Sequence, residues 1–200
     1  TSLLSVCAIL TNLGLRGAFV RGVAADPTSA RAQLADQLGL RFLLTMLAAI
    51  VAVMLCWLLG YSSTVLCCSA IGGAGLIVTT FAATLSDLLQ ATHRIKTVAL
   101  VNLIAGLALT ITSLLIAFAS ANPIAIAAAY LAGPIISAVL LVRLVSKHVC
   151  AVTFHWDVRR FARLLTKSQF FAAQQFLAVS SAQAEALILP QLVGMNQFGF

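Results

Sequence analysis

Phe42–Gly60 reads FLLTMLAAIVAVMLCWLLG and Thr64–Ser86 reads TVLCCSAIGGAGLIVTTFAATLS, two charge-free apolar runs separated only by Tyr61, Ser62 and Ser63. About 20 consecutive apolar residues suffice to cross the hydrocarbon core of a bilayer as a helix. A turn this short leaves the second run no course but to return antiparallel to the first. Three further runs repeat the signal at Thr97–Ala119, Ile124–Val142 and Phe170–Val193, and a shorter one ends near Val20. Backbone polar groups at that depth must be satisfied within the segment, and the ten-residue alternation of a membrane barrel is missing. The expected fold class is therefore all-α, a polytopic integral membrane helical bundle.

Charge placement orients it. All twelve Lys and Arg residues fall in three polar segments on one side of the expected crossings. Arg16, Arg21, Arg31 and Arg41 bracket the first; Arg94 and Lys96 occupy the second; Arg143, Lys147, Arg159, Arg160, Arg163 and Lys167 fill the third. The turns at 61–63 and 120–123 carry none. By the positive-inside rule the basic loops are cytoplasmic. With 62% hydrophobic and 8% charged residues and a mean hydropathy of +1.07, the chain excludes an ordinary soluble domain. Its net charge of +7 is matched to anionic lipid headgroups, not to nucleic acid, since no aromatic-interleaved basic patch is present. The chain opens at Thr1 inside an apolar run and reads as a piece of something longer, without the charged n-region of a signal peptide.

Local signals refine the picture. Asn122 and Pro123 fit an N-cap and first helical position, so a helix is expected to start there. Trp57 and Tyr61 mark an interface. Ser69, Ala70, Gly72, Gly73, Ala74 and Gly75, and Gly133 with Ser137, favour close helix packing, with ligand contact the second reading. Pro134 and Pro190 each remove a backbone hydrogen bond inside an apolar run and invite a kink. Between Ser146 and Lys167, Phe154, Val158, Phe161 and Leu165 recur at helical spacing opposite Arg159, Arg160, Arg163 and Lys167. This stretch is either an amphipathic helix on the cytoplasmic leaflet or a topogenic charge cluster.

Chemistry-bearing residues are few. Cys7, Cys56, Cys67, Cys68 and Cys150 lack CxxC or histidine-ligand spacing and read as small apolar fillers; no metal site and no cofactor are expected. No HExxH, P-loop or GxSxG motif occurs, so an enzyme is not expected and no catalytic residue is assigned. Asp26, Asp36 and Asp157 fall in expected cytoplasmic loops and Asp87 at a helix end. Glu185 alone lies within an apolar segment, where an ionisable group normally faces a cavity or a partner helix. Gln174, Gln175, Ser180, Ser181, Gln183 and Gln191 give that segment a polar side. Arg16 could point into a cavity or snorkel to headgroups, and Asn102 is expected to bond across helices.

Three stretches carry a family resemblance: NLGLRGAFVR at Asn12–Arg21, LLQATHRIKTVALVNLI at Leu88–Ile104, and AQAEALILPQLVGMNQFGF at Ala182–Phe200. In order and spacing the chain resembles the polysaccharide or O-antigen repeat-unit flippases of the multidrug, oligosaccharidyl-lipid and polysaccharide exporter superfamily. It departs from that pattern at Ala186, where a basic residue often follows the acid, and at Pro190, where glycine is usual. The resemblance implies a two-lobe transporter of the bacterial cytoplasmic (inner) membrane, of which residues 1–145 form the N-terminal lobe from a partial second helix to the sixth. Residues 146–169 would be a cytoplasmic connector, and residues 170–200 the first helix of the second lobe. The implied substrate is an undecaprenyl-diphosphate-linked oligosaccharide, with protons or monovalent cations as further partners. Arg16, Gln175, Gln183 and Asn102 are the substrate-binding candidates, Arg16 toward the diphosphate, and Glu185 is the candidate for the coupling ion. A drug/cation antiporter of the same architecture, an enzymatic subunit of glycan assembly, and a non-transporting subunit are the alternatives.

Overall fold

The computed structural model describes residues 15–119 and 123–154, and beyond them residues 156–157, 160–162, 164–166, 169 and 173. Every regular element among them is helical: α1 (Leu15–Ala25), a 3-10 turn (Pro27–Ser29), α2 (Ala30–Leu58), α3 (Ser63–Ala91), α4 (Ile95–Ala119), α5 (Pro123–Ala129) and α6 (Ala132–His148). Four stretches are long and apolar enough to cross a membrane: Ala30–Leu58, Ser63–Ala91, Ile95–Ala119 and Ile124–His148. The protein is an all-α, multi-pass membrane bundle. The fifth expected crossing, Phe170–Val193, with Pro190, and Asn122 lie outside the described residues, as do Arg159, Arg163 and Lys167 of the connector.

Helix α2 begins well before its apolar run, so Arg31, Asp36 and Arg41 are helical where the sequence reading had placed a loop. The apolar run marks only the part of a helix at lipid depth; hydrogen bonding carries the helix further into polar surroundings without any hydrophobic signal. The 3-10 turn ahead of it is held by Asp26, whose Oδ1 accepts from Thr28 Oγ1 at 2.6 Å and from the Thr28 backbone N–H at 3.1 Å. Hydrogen bonds from the Thr28 and Ser29 side chains keep its carboxyl below the usual carboxylate range.

Two hairpin turns use the same stop signal. After α2, the N–H of Gly60 bonds the Trp57 carbonyl and that of Tyr61 the Cys56 carbonyl; after α3, His93 bonds Gln90 and Arg94 bonds Leu89. This pair of bonds defines a Schellman cap and requires a left-handed residue after the helix. Gly60 supplies it freely at φ 69°, whereas His93 adopts φ 60° against the steric preference of a side-chain-bearing residue. The fourth span is broken: Pro134 cannot donate to Tyr130, and the chain turns at Tyr130–Leu131 between α5 and α6. The expected kink is thus a full interruption one turn before the proline, and α5 starts at Pro123 as the sequence suggested.

The most extensive pairing is α2 with α3; α6 packs on α3 and α4, and α1 on α3 and α2. The main core sits at the basic end, where Phe19, Val23, Leu34, Leu38, Leu85, Leu88, Leu89, Val98, Val101, Leu141 and Val145 of five helices meet. Toward the opposite end Leu107, Leu114, Leu115 and Phe118 of α4 and Trp57 and Leu58 of α2, with Leu59 just after it, are exposed, the pattern of lipid-facing surface. Lipid offers no hydrophobic drive for helices to associate, so contact there rests on small residues. A Cβ on Gly73 would stand 3.0 Å from Ala49 Cβ, and one on Gly133 would stand 3.0 Å from Leu109 Cβ and 3.1 Å from the Ala105 carbonyl oxygen. The second obstacle is backbone and cannot rotate away. Gly133→Val is expected to destabilise the protein by about 1–3 kcal/mol, read as a lower thermal midpoint in detergent; an unchanged midpoint would show that α4 and α6 do not touch there.

The basic stretch after α6 departs from the single amphipathic helix considered above. Phe154 lies in a non-helical stretch and stacks on Phe81 of α3, with ring centroids 6.0 Å apart. Residues 160–162 and 164–166 are helical, and Phe161 is buried with Leu15 of α1 and Leu40 of α2. Phe161 is thus taken up by the bundle itself, whereas Phe154 and Leu165 of the same segment stay exposed.

Candidate functional site

At the basic end three helices are joined through one carboxylate. Asp87, one turn before the end of α3, receives Arg16 of α1 through Nε at 2.9 Å on Oδ1 and Arg41 of α2 through Nη1 at 3.2 Å on Oδ2. Arg41 Nη1 also donates to Thr84 Oγ1 at 3.0 Å, and Thr84 in turn donates to the Thr80 carbonyl at 2.8 Å. Arg16 Nη2 donates to Gln90 Oε1 at 3.0 Å. Thr84, Asp87 and Gln90 share one face of α3 because they lie three residues apart. Gln37, a turn before Arg41, donates Nε2 to the Leu15 carbonyl at 3.0 Å and so fixes α1 against α2 beside the cluster.

The two arginines differ sharply in setting. The Arg41 side chain is 2% exposed and that of Asp87 5%, while Arg16 is 60% exposed. Arg41 Nε and Nη2 have no hydrogen-bond partner among the described residues. A buried guanidinium is tolerated only with a paired carboxylate, so Asp87 serves Arg41 first. Two guanidiniums facing one carboxylate leave one positive charge over, and the exposed member is the one able to present it. Chemically the cluster can attract an anion through Arg16 while Asp87, Thr84 and Arg41 hold the anchor beneath. Among the described residues no group of three or more His, Cys, Asp or Glu side chains could hold a metal ion.

A family described as "Polysaccharide biosynthesis protein" matches residues 1–200. The chain belongs to this family. Neither the curated proteins nor the solved structures contain a match to it. This polysaccharide biosynthesis protein carries no HExxH, P-loop or GxSxG motif in its sequence.

Of the residues singled out from sequence, Arg16 lies in the cluster and is ion-paired there. Asn102 is exposed on α4 and bonds no neighbouring helix among the described residues. Gln175, Gln183 and Glu185 lie outside the described residues. Arg41 and Asp87 were missed as a pair. Each borders an apolar run, Arg41 directly before Phe42 and Asp87 directly after Ser86, and an acid and a base at the same end of two paired helices were the available signal.

Proposed function

We propose that this polysaccharide biosynthesis protein belongs to a two-lobe flippase that carries lipid-diphosphate-linked oligosaccharide repeat units from the cytoplasmic to the outer leaflet of the bacterial inner membrane. The basic end faces the cytosol, in keeping with the positive-inside rule. A diphosphate headgroup needs positive charge at its point of entry, water and hydrogen-bond partners in transit, and a lateral opening for its lipid tail. The observation that carries this reading is the sharing of Asp87 between buried Arg41 and exposed Arg16, which leaves a cationic side chain presented at the loading end. The described helices are the first lobe, and the stretch from residue 146 to 169 leads to the second. Alternating exposure then comes from rocking of the lobes about the cavity between them. In this scheme Gln175, Gln183 and Asn102 contact sugar, and Glu185 answers to protons or monovalent cations.

Cells lacking the protein are expected to lose surface polysaccharide and to accumulate the lipid-linked repeat unit, measured by extraction and sugar analysis of the lipid fraction. Surface polysaccharide at the parental level would refute the proposal.

A further inference from the structure

Where the basic stretch after α6 meets α1 and α2 it is held chiefly by one ring. Phe161 is buried with Leu15, the first residue of α1, and with Leu40 of α2, while Leu44 and Leu164 pack beside them. Trp156 meets the same ring edge-on, with centroids 6.1 Å apart. The turn that presents Phe161 is built locally, since its N–H and that of Arg160 both donate to the Asp157 carbonyl at 3.1 Å. The polar tie is weaker. Arg160 is shared, its Nε standing 3.3 Å from Asp157 Oδ2 and its Nη1 3.6 Å from Asp36 Oδ2 of α2, and at 45% side-chain exposure water competes for both contacts. The seam is also incompletely filled. A cavity of about 450 Å³ remains along it, lined by Ala18, Gly22, Gln33 and Asp36 of the helices and by Arg160 and Leu164. Beside it Asp36 Oδ1 and Gln37 Oε1 are buried without a hydrogen-bond partner among the described residues, a cost of the seated arrangement that hydration would relieve. A segment fixed by one ring over a void belongs to the weakly held end of a protein's local stabilities.

Leu15 directly precedes Arg16 and Leu40 directly precedes Arg41, so Phe161 braces α1 against α2 next to the arginine cluster. Gln37 adds to the brace by donating to the Leu15 carbonyl at 3.0 Å. Arg16 ties the same turn of α1 to α3 through Asp87 and Gln90. Because both ties act on one turn of helix, loosening either weakens the other.

We propose that Trp156, Asp157 and the helical residues 160–162 and 164–166 form a releasable strap coupled to the arginine cluster. Seated, Phe161 clamps the start of α1 onto α2 and keeps Arg16 against Asp87; lifted, it frees α1 and Arg16 together. The strap acts on α1 whether or not a glycan is carried, so it can fail while the transport reading stands, and the reverse. The test is hydrogen–deuterium exchange of the complete protein in detergent micelles, followed by mass spectrometry. Phe161→Ala is expected to speed exchange of α1 peptides by about ten-fold or more, the effect of losing one buried aromatic anchor, while α4 peptides stay within about two-fold. Arg160→Ala removes only the half-exposed tie and should change α1 by less than about three-fold. Coupling is reciprocal, so Arg16→Ala should speed exchange of peptides covering residues 160–166 by about three-fold or more. Should Phe161→Ala not fold, Trp156→Ala removes an exposed ring that steadies Phe161 and should speed α1 by about two-fold or more. The proposal is overturned if α1 keeps its parental rate in Phe161→Ala, or in Trp156→Ala where that variant stands in for it. It is equally overturned if α1 and α4 speed up alike, the behaviour of an ordinary core residue, or if residues 160–166 are indifferent to Arg16→Ala.

Discussion

Asp87→Ala is expected to destabilise the protein by about 3–5 kcal/mol, because it strands the buried Arg41 guanidinium without a counter-charge. Thr84 would remain as a neutral acceptor and is too weak a partner for a charge held at 2% exposure. Arg16 contributes little to this loss, since at 60% exposure its charge is solvated when the carboxylate is gone. The double variant Asp87→Ala with Arg41→Met should regain most of the stability, because removing both charges removes the desolvation problem that the pair exists to solve. Denaturation in detergent micelles monitored by near-ultraviolet circular dichroism gives the comparison. A single variant no worse than a surface substitution, or a double variant worse than the single, would show that Asp87 does not neutralise Arg41.

Arg16→Ala should separate function from stability in the opposite sense. The side chain is largely exposed, and exposed ion pairs contribute about 0–1 kcal/mol, so the folded protein should tolerate the change. Glycan export should fall about ten-fold or more, the effect of losing one charge-assisted hydrogen bond of roughly 1.5–3 kcal/mol to a diphosphate. Lys147→Ala removes an equal charge from an exposed position near the end of α6 and should leave export nearly intact. Surface polysaccharide, normalised to protein present in the membrane, is the readout. Equal and mild effects of the two variants would reduce Arg16 to a topology anchor.

The crossings were legible in the sequence because a membrane leaves so few options. A run such as Phe42–Gly60 can be only a helix at that depth, and the charge-free turns allow only antiparallel neighbours. The start of α5 at Pro123 was legible for a local reason, the fixed φ and missing donor of proline. What escaped was everything beyond lipid depth. The first two turns of α2 bear Arg31, Asp36 and Gln37 and show no hydrophobic period to announce a helix. Arg41 and Asp87 border apolar runs, where a charge ordinarily sets topology, and their pairing depends on which faces of α2 and α3 meet. Phe161 was read as one side of a surface helix; it is buried against Leu15 and Leu40, a contact between residues distant in the chain that periodicity cannot express. Glu185, the residue the sequence made most conspicuous, lies outside the described residues, so the cluster around Asp87 carries the argument instead.

The pairing also explains why the core lies at one end. Where helices emerge toward water the hydrophobic effect returns, and at this basic end Leu34, Leu85, Leu88 and Val145 bury fully. Large side chains suit that region, and small ones suit the lipid-embedded contacts at Gly73 and Gly133. The charged cluster of Arg16, Arg41 and Asp87 sits on this base. Such a cluster needs this base, because positioning of polar groups is lost where helices are free to slide.

Flipping by the purified complete protein in liposomes is the most direct measurement of the central claim. A lipid-diphosphate-linked oligosaccharide confined at first to one leaflet should cross faster than in protein-free vesicles, with Arg16→Ala slower than the parent by about ten-fold. Crossing no faster than in protein-free vesicles, or a parent and Arg16→Ala variant that flip at the same rate, would contradict it.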